Sequence, residues 1–585
     1  MRGWWLGLGL GWLWGKLDIF YGRLEFRLAP PARRLEARVE WHFQGAADRL
    51  LEWDFGDGLE IQQLEASEPI EAYWRDPARR KLFLRFARVP SGRQWVRLTY
   101  RGTPRSRGFG SYEVRPHATG WCLWTLSQPY GAPDWLFCRD GLEDKVDSLE
   151  VTLITPRPLL GVANGRLSAD SIDQQGWRWR HFKHRYPIAV YLIAFAVSNY
   201  AIVEEPIETP YHRFILRTYA YPQDTATARH FARALAPYFT WLEERLGPYP
   251  FAPEDYQQVQ IGWPGGMEHQ TITFFGTYHI ELLAHELAHQ WFGDWVTCGS
   301  WQDLWLNEAF ATYLGGTVYE SQWPSVWPLW LKLTIKAAWR DTTNTIWVDD
   351  TLREERLFSY ATTYAKGAIA LHEMRRYVGE AAFWAALRRY LEVFAGSFAR
   401  TTDFAQVVQP FWGREATQLF IESWIFTSGY PSGTFTWASP IECTLTLPRA
   451  YPARVAARAT LVSGDTLRLN LALDQRRQMI RFPFPVRSWE IDPDTQSAYY
   501  QPRRVLPPPN PAAFFPNPFQ EKLYLNTSGI HAAKLYDQMG RLCREIAFNG
   551  EPPFVWELGD LPVGCYILQL EGQGISQTYK VIRSP

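Results

Sequence analysis

Hydrophobic and polar residues alternate along much of the first third of the chain. The clearest example is the segment at residues 35–43, which reads LEARVEWHF. Because successive side chains of a strand point to opposite faces, this period of two predicts strands with one buried face. Similar runs near residues 96–100 and 149–153 lie between turns rich in Gly, Pro and Asp. We therefore predict a β-rich N-terminal domain over residues 17–205.

The pattern changes to a helical period near residue 224. Residues 235–246 carry apolar side chains at helical spacing, and the Gly247-Pro248 pair that follows is typical of a helix end. Helical spacing predominates to about residue 430, and we place a second domain over residues 206–435. An apolar run at residues 187–197 is too short to cross a bilayer and is interpreted as a buried strand.

The last part of the chain returns to short alternating runs. They predict a small β domain over residues 436–500. Residues 501–514 are rich in proline and indicate a stiff, extended linker, and strand-like runs follow over residues 515–585. A chain of 585 residues is too long for one hydrophobic core, so the sequence predicts a multidomain α+β protein.

Charge and composition exclude some classes of partner. Lys plus Arg equals Asp plus Glu at 61 each, so no overall positive field attracts a phosphate backbone, and we expect no nucleic-acid partner. Residues 4–15 form an uncharged apolar run behind Arg2, which suits a signal peptide over residues 1–16. No later stretch reaches transmembrane length, so we expect no transmembrane segment in the mature protein.

Six cysteines occur without any C-x-x-C spacing, which argues against a cysteine zinc knuckle or a redox motif. Buried free thiols are the default interpretation, although an exported chain could pair some of them.

A candidate metal site begins at His285-Glu286-Leu287-Ala288-His289. Two imidazoles four residues apart lie on one face of a helix, so both can reach one cation, with Glu286 beside them. Eighteen residues separate His289 from Glu308, which lies in a second segment predicted to be an amphipathic helix packed on the first. A catalytic zinc requires three protein ligands and an open position, and His285, His289 and Glu308 supply that set. We predict one Zn²⁺ per chain, with Glu286 as the base that accepts a proton from water.

The chain resembles the gluzincin aminopeptidases, the peptidase family M1 group that includes aminopeptidase N and the leukotriene hydrolase. The resemblance covers roughly residues 20–500. It rests on the zinc motif with Glu308, on Gly265-Gly266-Met267-Glu268-His269 and on Tyr364-Ala365-Lys366-Gly367. It implies a saddle-like N-terminal β domain and a thermolysin-like α/β-helical catalytic domain.

The resemblance also implies roles for residues outside the zinc motif. Glu268 would bind the α-ammonium group of the substrate, and Gly265, Gly266 and Met267 would lie along its extended backbone. A fixed carboxylate one residue's length from the zinc allows cleavage only beside a free amine. Gln128 would be a second amine-binding residue, although a loop Gln is commonly a surface residue.

Tyr364 stands where the family has the tyrosine that stabilises the developing oxyanion. Tyr360 lies four residues earlier, and a tyrosine of this kind can also be a packing residue. His269 departs from the family's usual Asn, which affects positioning and pH response there.

The tail at residues 515–585 resembles the C-terminal sorting domain of type nine secretion systems. The matching features are PNPF at 516–519, LYDQMGR at 535–541, LPVGCY at 561–566 and KVI at 580–582. The resemblance implies a β-sandwich recognised by secretion machinery, export through the periplasm, and a secreted or cell-surface location. A small β-sandwich without a sorting role is the alternative.

Together these features favour a zinc aminopeptidase that acts on peptides with a free N-terminus. Two enzymatic alternatives share the scaffold, a zinc endopeptidase and a bifunctional epoxide hydrolase. A surface binding protein without turnover is a third alternative.

Overall fold

A computed structural model describes residues 17–439, 441–461, 464–483, 486–499, 504–505, 514–515, 518–525, 529–549, 554–572 and 575–585. The predicted signal peptide and most of the predicted linker lie outside the described residues. The chain divides into two compact units, Met1–Ser428 and Gly429–Pro585. In the described part of the chain, no helix combines the length and the apolar content that crossing a membrane requires.

The N-terminal part of the first unit consists of strands. They are β1 (Asp18–Leu28), β2 (Leu35–Gln44), β3 (Leu50–Asp54), β4 (Leu59–Ala66), β5 (Ile70–Asp76), β6 (Lys81–Phe86), β7 (Gln94–Gly102), β8 (Tyr112–His117), β9 (Gly120–Thr125), β10 (Leu149–Pro156), β11 (Leu160–Ala163), β12 (Arg166–Ile172), β13 (Trp177–His184) and β14 (Phe195–Ser198). They form sheets in the orders β12-β13-β10-β1-β2-β7-β4, β11-β14-β9-β8 and β3-β6-β5. In β2 the side chains of Leu35, Val39 and Phe43 are fully buried, as the period of two predicts. The β-rich N-terminal region is confirmed.

The predicted strand at residues 187–197 is only partly correct. Val190–Leu192 forms a turn of 3-10 helix, and the strand is confined to Phe195–Ser198. The whole run from Ile188 to Val197 is buried, and a segment buried on every side shows no periodicity that separates strand from helix.

The region that follows begins with a five-stranded mixed sheet. Its strands are β15 (Ala201–Glu208), β16 (Arg213–Ala220), β17 (Tyr256–Gln260), β18 (Gly266–Met267) and β19 (Ile272–Phe275), in the order β15-β16-β17-β19-β18. β15 pairs with β16, so this sheet begins at residue 201, a few residues before the predicted boundary at 206. The short strand β18 lies at the edge of the sheet, which leaves one side of its backbone unpaired within the sheet.

Helices cover the rest of this region. They are α1 (Thr225–Leu246), α2 (Ile280–Ala288), α3 (Trp305–Gln322), α4 (Trp327–Ala338), α5 (Glu354–Leu357), α6 (Gly367–Val378), α7 (Glu380–Val393), α8 (Thr401–Trp412) and α9 (Arg414–Phe420), with π-helical segments at Tyr360–Lys366 and Ile421–Ile425. A short pair of strands, β20 (Thr297–Cys298) and β21 (Phe398–Ala399), runs parallel.

Helix α3 packs against α2 and α6, and every side chain from Trp305 to Val318 is buried. The prediction that the Glu308 segment is amphipathic is therefore wrong. The segment is buried around its whole circumference, polar Asn307 and Glu308 included, because it has packing partners on all sides.

The second unit contains two groups of strands. The first group is β22 (Thr434–Ser439), β23 (Glu442–Thr446), β24 (Arg454–Leu461), β25 (Thr466–Ala472), β26 (Arg477–Arg481), β27 (Val486–Ile491) and β28 (Arg504–Val505), in sheets ordered β22-β23-β26 and β25-β24-β27-β28. The second group is β29 (Phe514–Phe515), β30 (Lys522–Leu525), β31 (Ile530–Tyr536), β32 (Leu542–Ala547), β33 (Phe554–Glu557), β34 (Gly564–Gly572) and β35 (Ile575–Arg583). Its sheets have the orders β29-β30-β33 and β32-β31-β34-β35.

The two sheets of the second group share one core. Leu523 and Trp556 from the first sheet and Leu535, Leu568 and Val581 from the second belong to the same buried cluster. This arrangement is a small β-sandwich, and the predicted multidomain α+β architecture is confirmed. All six cysteines are free thiols in the structure.

Candidate functional site

Two helices bring the three predicted zinc ligands together. His285 lies in the last turn of α2, and His289 follows directly after the helix in the same right-handed conformation. Glu308 lies in the first turn of α3. The Nε2 atoms of the two histidines are 3.0 Å apart, and Glu308 Oε2 lies 3.5 Å from His285 Nε2 and 3.3 Å from His289 Nε2.

These separations suit a tetrahedral cation. Zinc bonds of about 2.0–2.1 Å place neighbouring ligand atoms about 3.3 Å apart. His289 Nδ1 donates to the carbonyl of Phe292 at 3.0 Å, and His285 has a hydrogen bond with the backbone of Ala311. Since Nδ1 of His289 carries the proton in its bond to Phe292, Nε2 of His289 is left free for a metal. The three residues therefore fit a zinc ion in distance, and His289 fits it in tautomer as well.

The charges around Glu308 and Glu286 also favour a cation. Burial raises the pKa of Glu308, but His289 and the hydrogen bonds from both histidines outweigh burial and lower it to about 2. Burial raises the pKa of Glu286 well above its usual value; His289 opposes this, and Glu268 and Glu308 add to it. Glu286 Oε2 is buried without a hydrogen-bond partner in the described part of the chain. A divalent cation would relieve the repulsion among these carboxylates.

Glu268 and Gln128 meet at one end of the site. Glu268 directly follows β18, and Gln128 lies in the loop after β9, 140 residues earlier. Gln128 Nε2 donates to Glu268 Oε1 at 3.1 Å, and both side chains are buried. Burial raises the pKa of Glu268 to about 7, with His289 opposing that shift. The structure thus brings Gln128 to the predicted amine-binding residue.

The two glycines before Met267 lie where a side chain would collide with neighbouring groups of the protein. A Cβ on Gly266 would lie 2.2 Å from Glu286 Oε1, and one on Gly265 would lie 2.3 Å from the ring of Trp263. Gly266 therefore allows β18 to approach the carboxylate of Glu286. Met267 is buried and contributes to the wall of the cavity together with Gly266.

Tyr364, rather than Tyr360, lies beside the candidate ligands. Both belong to the π-helical segment, a local irregularity that is frequent at functional sites. The Tyr364 ring stacks near the His285 ring at 6.2 Å between centroids, and its hydroxyl has a hydrogen bond with Glu308. Burial raises the pKa of Tyr364 well above its usual value, and Glu308 and Glu268 add to that shift. Tyr360 is 53% exposed and stacks on the outer side of Tyr364.

All of these groups except Gly265 line one cavity of about 400 Å³. Sequence reasoning missed several further residues of its wall, because they come from unrelated parts of the chain. They are Phe109, Leu126, Trp263, His279, Glu281, Leu282, Thr312 and Phe358. Glu281 was within reach of sequence reasoning, since it precedes His285 by four residues and therefore lies on the same helix face.

His269 directly follows Glu268 but lies in an apolar environment. It is fully buried, its ring lies edge-on to Phe274, and neither ring nitrogen has a hydrogen-bond partner in the described residues. Burial lowers its pKa to about 3. A neutral imidazole is therefore held directly behind Glu268.

Two segments of the chain match known protein families. Residues 267–424 match the protein family described as Peptidase family M1 domain, and residues 513–584 match the Secretion system C-terminal sorting domain. The chain thus carries an M1 peptidase domain and a C-terminal sorting domain.

Similar proteins agree with this assignment. The chain is 36% identical over 160 residues to a leucyl aminopeptidase of Saccharolobus solfataricus, which covers 26% of this chain and 20% of that protein. It is 31% identical over 215 residues to an aminopeptidase N of Streptomyces lividans, covering 33% of this chain and 25% of that protein. The chain therefore spans only a fifth to a quarter of the length of these relatives.

A solved structure resembles a larger part of the chain. The M1 zinc metallopeptidase of Deinococcus radiodurans has a TM-score of 0.61 at 24% identity and covers 70% of this chain and 94% of that protein. A mutant of that protein bound to a Tyr-Ser-Ala substrate gives a TM-score of 0.60 at 25% identity, covering 70% of this chain and 94% of that one. The fold of this chain is thus that of a two-domain M1 peptidase followed by further β modules.

Proposed function

We propose that the protein is a zinc-dependent aminopeptidase that hydrolyses the first peptide bond of peptides with a free N-terminus. The observation that carries the proposal is the position of Glu268 and Gln128, buried at one end of the cavity whose centre holds His285, His289 and Glu308. A substrate ammonium held at that end leaves room for one residue before the metal centre. The names of the similar proteins support the same activity.

Each buried side chain has a separate task in this reaction. A zinc ion held by His285, His289 and Glu308 would polarise the scissile carbonyl and lower the pKa of water. Glu286 accepts the proton of the attacking water and passes it to the nitrogen of the leaving peptide. Burial and the neighbouring carboxylates raise the pKa of Glu286. A zinc ion beside it would lower that pKa and favour the carboxylate form, which is the form that accepts the proton.

Tyr364 and Glu268 act on the two ends of the first residue. The Tyr364 hydroxyl donates a hydrogen bond to the carbonyl oxygen as negative charge develops on it. Its raised pKa keeps the phenol protonated and therefore able to donate. Glu268 and the Gln128 side-chain oxygen accept hydrogen bonds from the substrate ammonium. An N-acetylated peptide would leave the Glu268 carboxylate buried with Gln128 as a neutral partner but without a cation, which costs about 2–4 kcal/mol.

We further propose that the protein passes through the periplasm and is delivered to the cell surface or the medium. The C-terminal sorting domain supports this route, and the secretion machinery that recognises such domains would be a transient partner.

The decisive experiment compares a free-amine peptide with its N-acetylated form on the zinc-loaded full chain. Leu is a suitable first residue because Leu126, Met267 and Phe358 make the wall of the cavity largely apolar. We expect kcat/KM to fall by about 100-fold or more on acetylation, and Glu286→Gln to abolish turnover while zinc is retained. Equal rates on the two peptides would indicate an endopeptidase. Zinc-loaded wild-type protein that cleaves no peptide would indicate an epoxide hydrolase or a binding protein.

A further inference from the structure

The wall of the cavity carries more negative charge than the proposed reaction uses. Four glutamates line it, Glu268, Glu281, Glu286 and Glu308, and its lining residues include no lysine or arginine. One zinc ion offsets two negative charges, and the ammonium of the substrate offsets a third. One carboxylate remains, and Glu281 is the member of the four that has no part in metal binding, proton transfer or amine recognition.

Glu281 is held in place by neutral donors. Trp330 Nε1 donates to Glu281 Oε1 at 2.6 Å, and the hydroxyl of Tyr319 donates a second hydrogen bond. Both bonds fix the carboxylate without neutralising it. Burial and then the charge of Glu281 raise the pKa of Tyr319 to about 12. The same two causes raise the pKa of Tyr360, where Arg340 opposes them. The side chain is half-buried and faces the cavity.

The cavity has two ends, and Glu281 lies at the end opposite the amine site. Glu268 groups with Glu286 and His289, with their ligand atoms within 4.8 Å of one another. Glu281 precedes His285 by four residues, about 6 Å along the helix axis, whereas His289 follows His285 by the same distance. The order along the helix is therefore Glu281, His285, His289, with Glu268 beside the last of these.

This order fixes the direction of a bound peptide. With its ammonium at Glu268 and its first carbonyl at the metal centre, the chain continues past His285 toward Glu281 and Tyr360. The side chain of the second residue is the first group of the leaving peptide to arrive there. A lysine or arginine side chain extends about 6 Å from its Cα and can place its charge on Glu281 while its methylenes lie against the Tyr360 ring.

We infer that Glu281 is a specificity-determining residue that selects peptides with lysine or arginine as the second residue. The inference rests on the proposed aminopeptidase function, because that function sets the direction of the peptide. A charge-assisted hydrogen bond in a partly water-filled cavity gives a preference of roughly tenfold over an uncharged side chain of similar length. A glutamate at the second position meets like charge and is disfavoured.

The test uses three peptides that differ at one position, Leu-Lys-Ala-Phe, Leu-Nle-Ala-Phe and Leu-Glu-Ala-Phe, where Nle is norleucine. Release of leucine by the zinc-loaded full chain is measured for the wild type, for Glu281→Gln and for Glu415→Gln. The last variant removes the same charge from an exposed position on α9. We expect the ratio of kcat/KM for lysine over norleucine to be about ten in the wild type and in Glu415→Gln, and below two in Glu281→Gln.

A binding measurement provides the readout that does not depend on turnover. The Kd values of the lysine and norleucine peptides for the inactive Glu286→Gln protein should differ by a similar factor. Should Glu281→Gln fail to fold, the wild type still tests the inference, since its lysine preference must decline as salt rises from about 0.05 to 0.5 M. Cleavage of lysine and norleucine peptides at equal rates overturns the inference alone. If zinc-loaded protein cleaves none of the three, the proposed function fails as well.

Discussion

Replacing Gly266 with alanine tests how closely β18 must approach Glu286, the proposed catalytic base. The new Cβ would lie 2.2 Å from Glu286 Oε1 and 2.6 Å from its Cδ, whereas ordinary contacts begin at 3.4 Å. Gly266 does not have a positive φ, so strain in its own backbone is not the issue. The carboxylate of Glu286 or the strand β18 must therefore move by about 1 Å, and a misplacement of that size costs about 100-fold in rate.

The assay is steady-state hydrolysis of a leucyl peptide by zinc-loaded Gly266→Ala protein. We expect kcat/KM to fall by about 100-fold while zinc stays stoichiometric, since the three atoms nearest the added Cβ all belong to Glu286 and none to a proposed ligand. Gly141→Ala is the matched control, because a Cβ there meets only the flexible end of Glu143 at 3.3 Å. A Gly266→Ala enzyme that keeps more than a third of the wild-type kcat/KM would refute the reasoning. Loss of zinc along with the activity would refute it too.

Two further predictions concern pH and the metal. Burial lowers the pKa of His269 to about 3. Below pH 6.5 the unfolded chain therefore binds a proton at this histidine that the folded chain does not bind. The free energy of unfolding consequently decreases as pH falls from 6.5 toward 3. At pH 5, His269→Asn should remove about 2 kcal/mol of that loss. The measurement is the free energy of unfolding in urea at pH 7 and at pH 5. If the variant keeps the pH dependence of the wild type, His269 is not the buried neutral group responsible for it. His289→Ala should lose stoichiometric zinc, measured by elemental mass spectrometry, whereas the control His230→Ala, at an exposed position, should keep it. Zinc retained in His289→Ala would show that the ion binds elsewhere.

The parts of the site that could be predicted from the sequence are those coded within one helix or one short motif. His285 and His289 are four residues apart, just over one turn of helix, so their common direction follows from helix geometry, with Glu286 directly beside them. Glu308 could be predicted because its spacing and apolar surroundings resemble a known motif. The alternating strands of the N-terminal region were predicted for the same reason, since a period of two is a local property.

The remaining features depend on contacts between distant segments. Gln128 reaches Glu268 only because a loop of the N-terminal strands packs beside β18, and no local pattern encodes a contact across 140 residues. From Trp305 to Val318, helix α3 has no exposed face, because α2 and α6 pack against it. Its own sequence does not show which other helices will cover it. The reason for Gly266 appears only when the position of Glu286 is known.

The hydrogen bond between Gln128 and Glu268 has a consequence for a chain that is still folding. The cluster of His285, His289 and Glu308 comes from consecutive helices and can form as soon as those helices meet. The proposed amine site of Glu268 and Gln128 is complete only after the amino-terminal sheets have docked. A polypeptide in which those sheets have not docked would hold a substrate ammonium by Glu268 alone, and under the proposed function its preference for chain ends would be weaker.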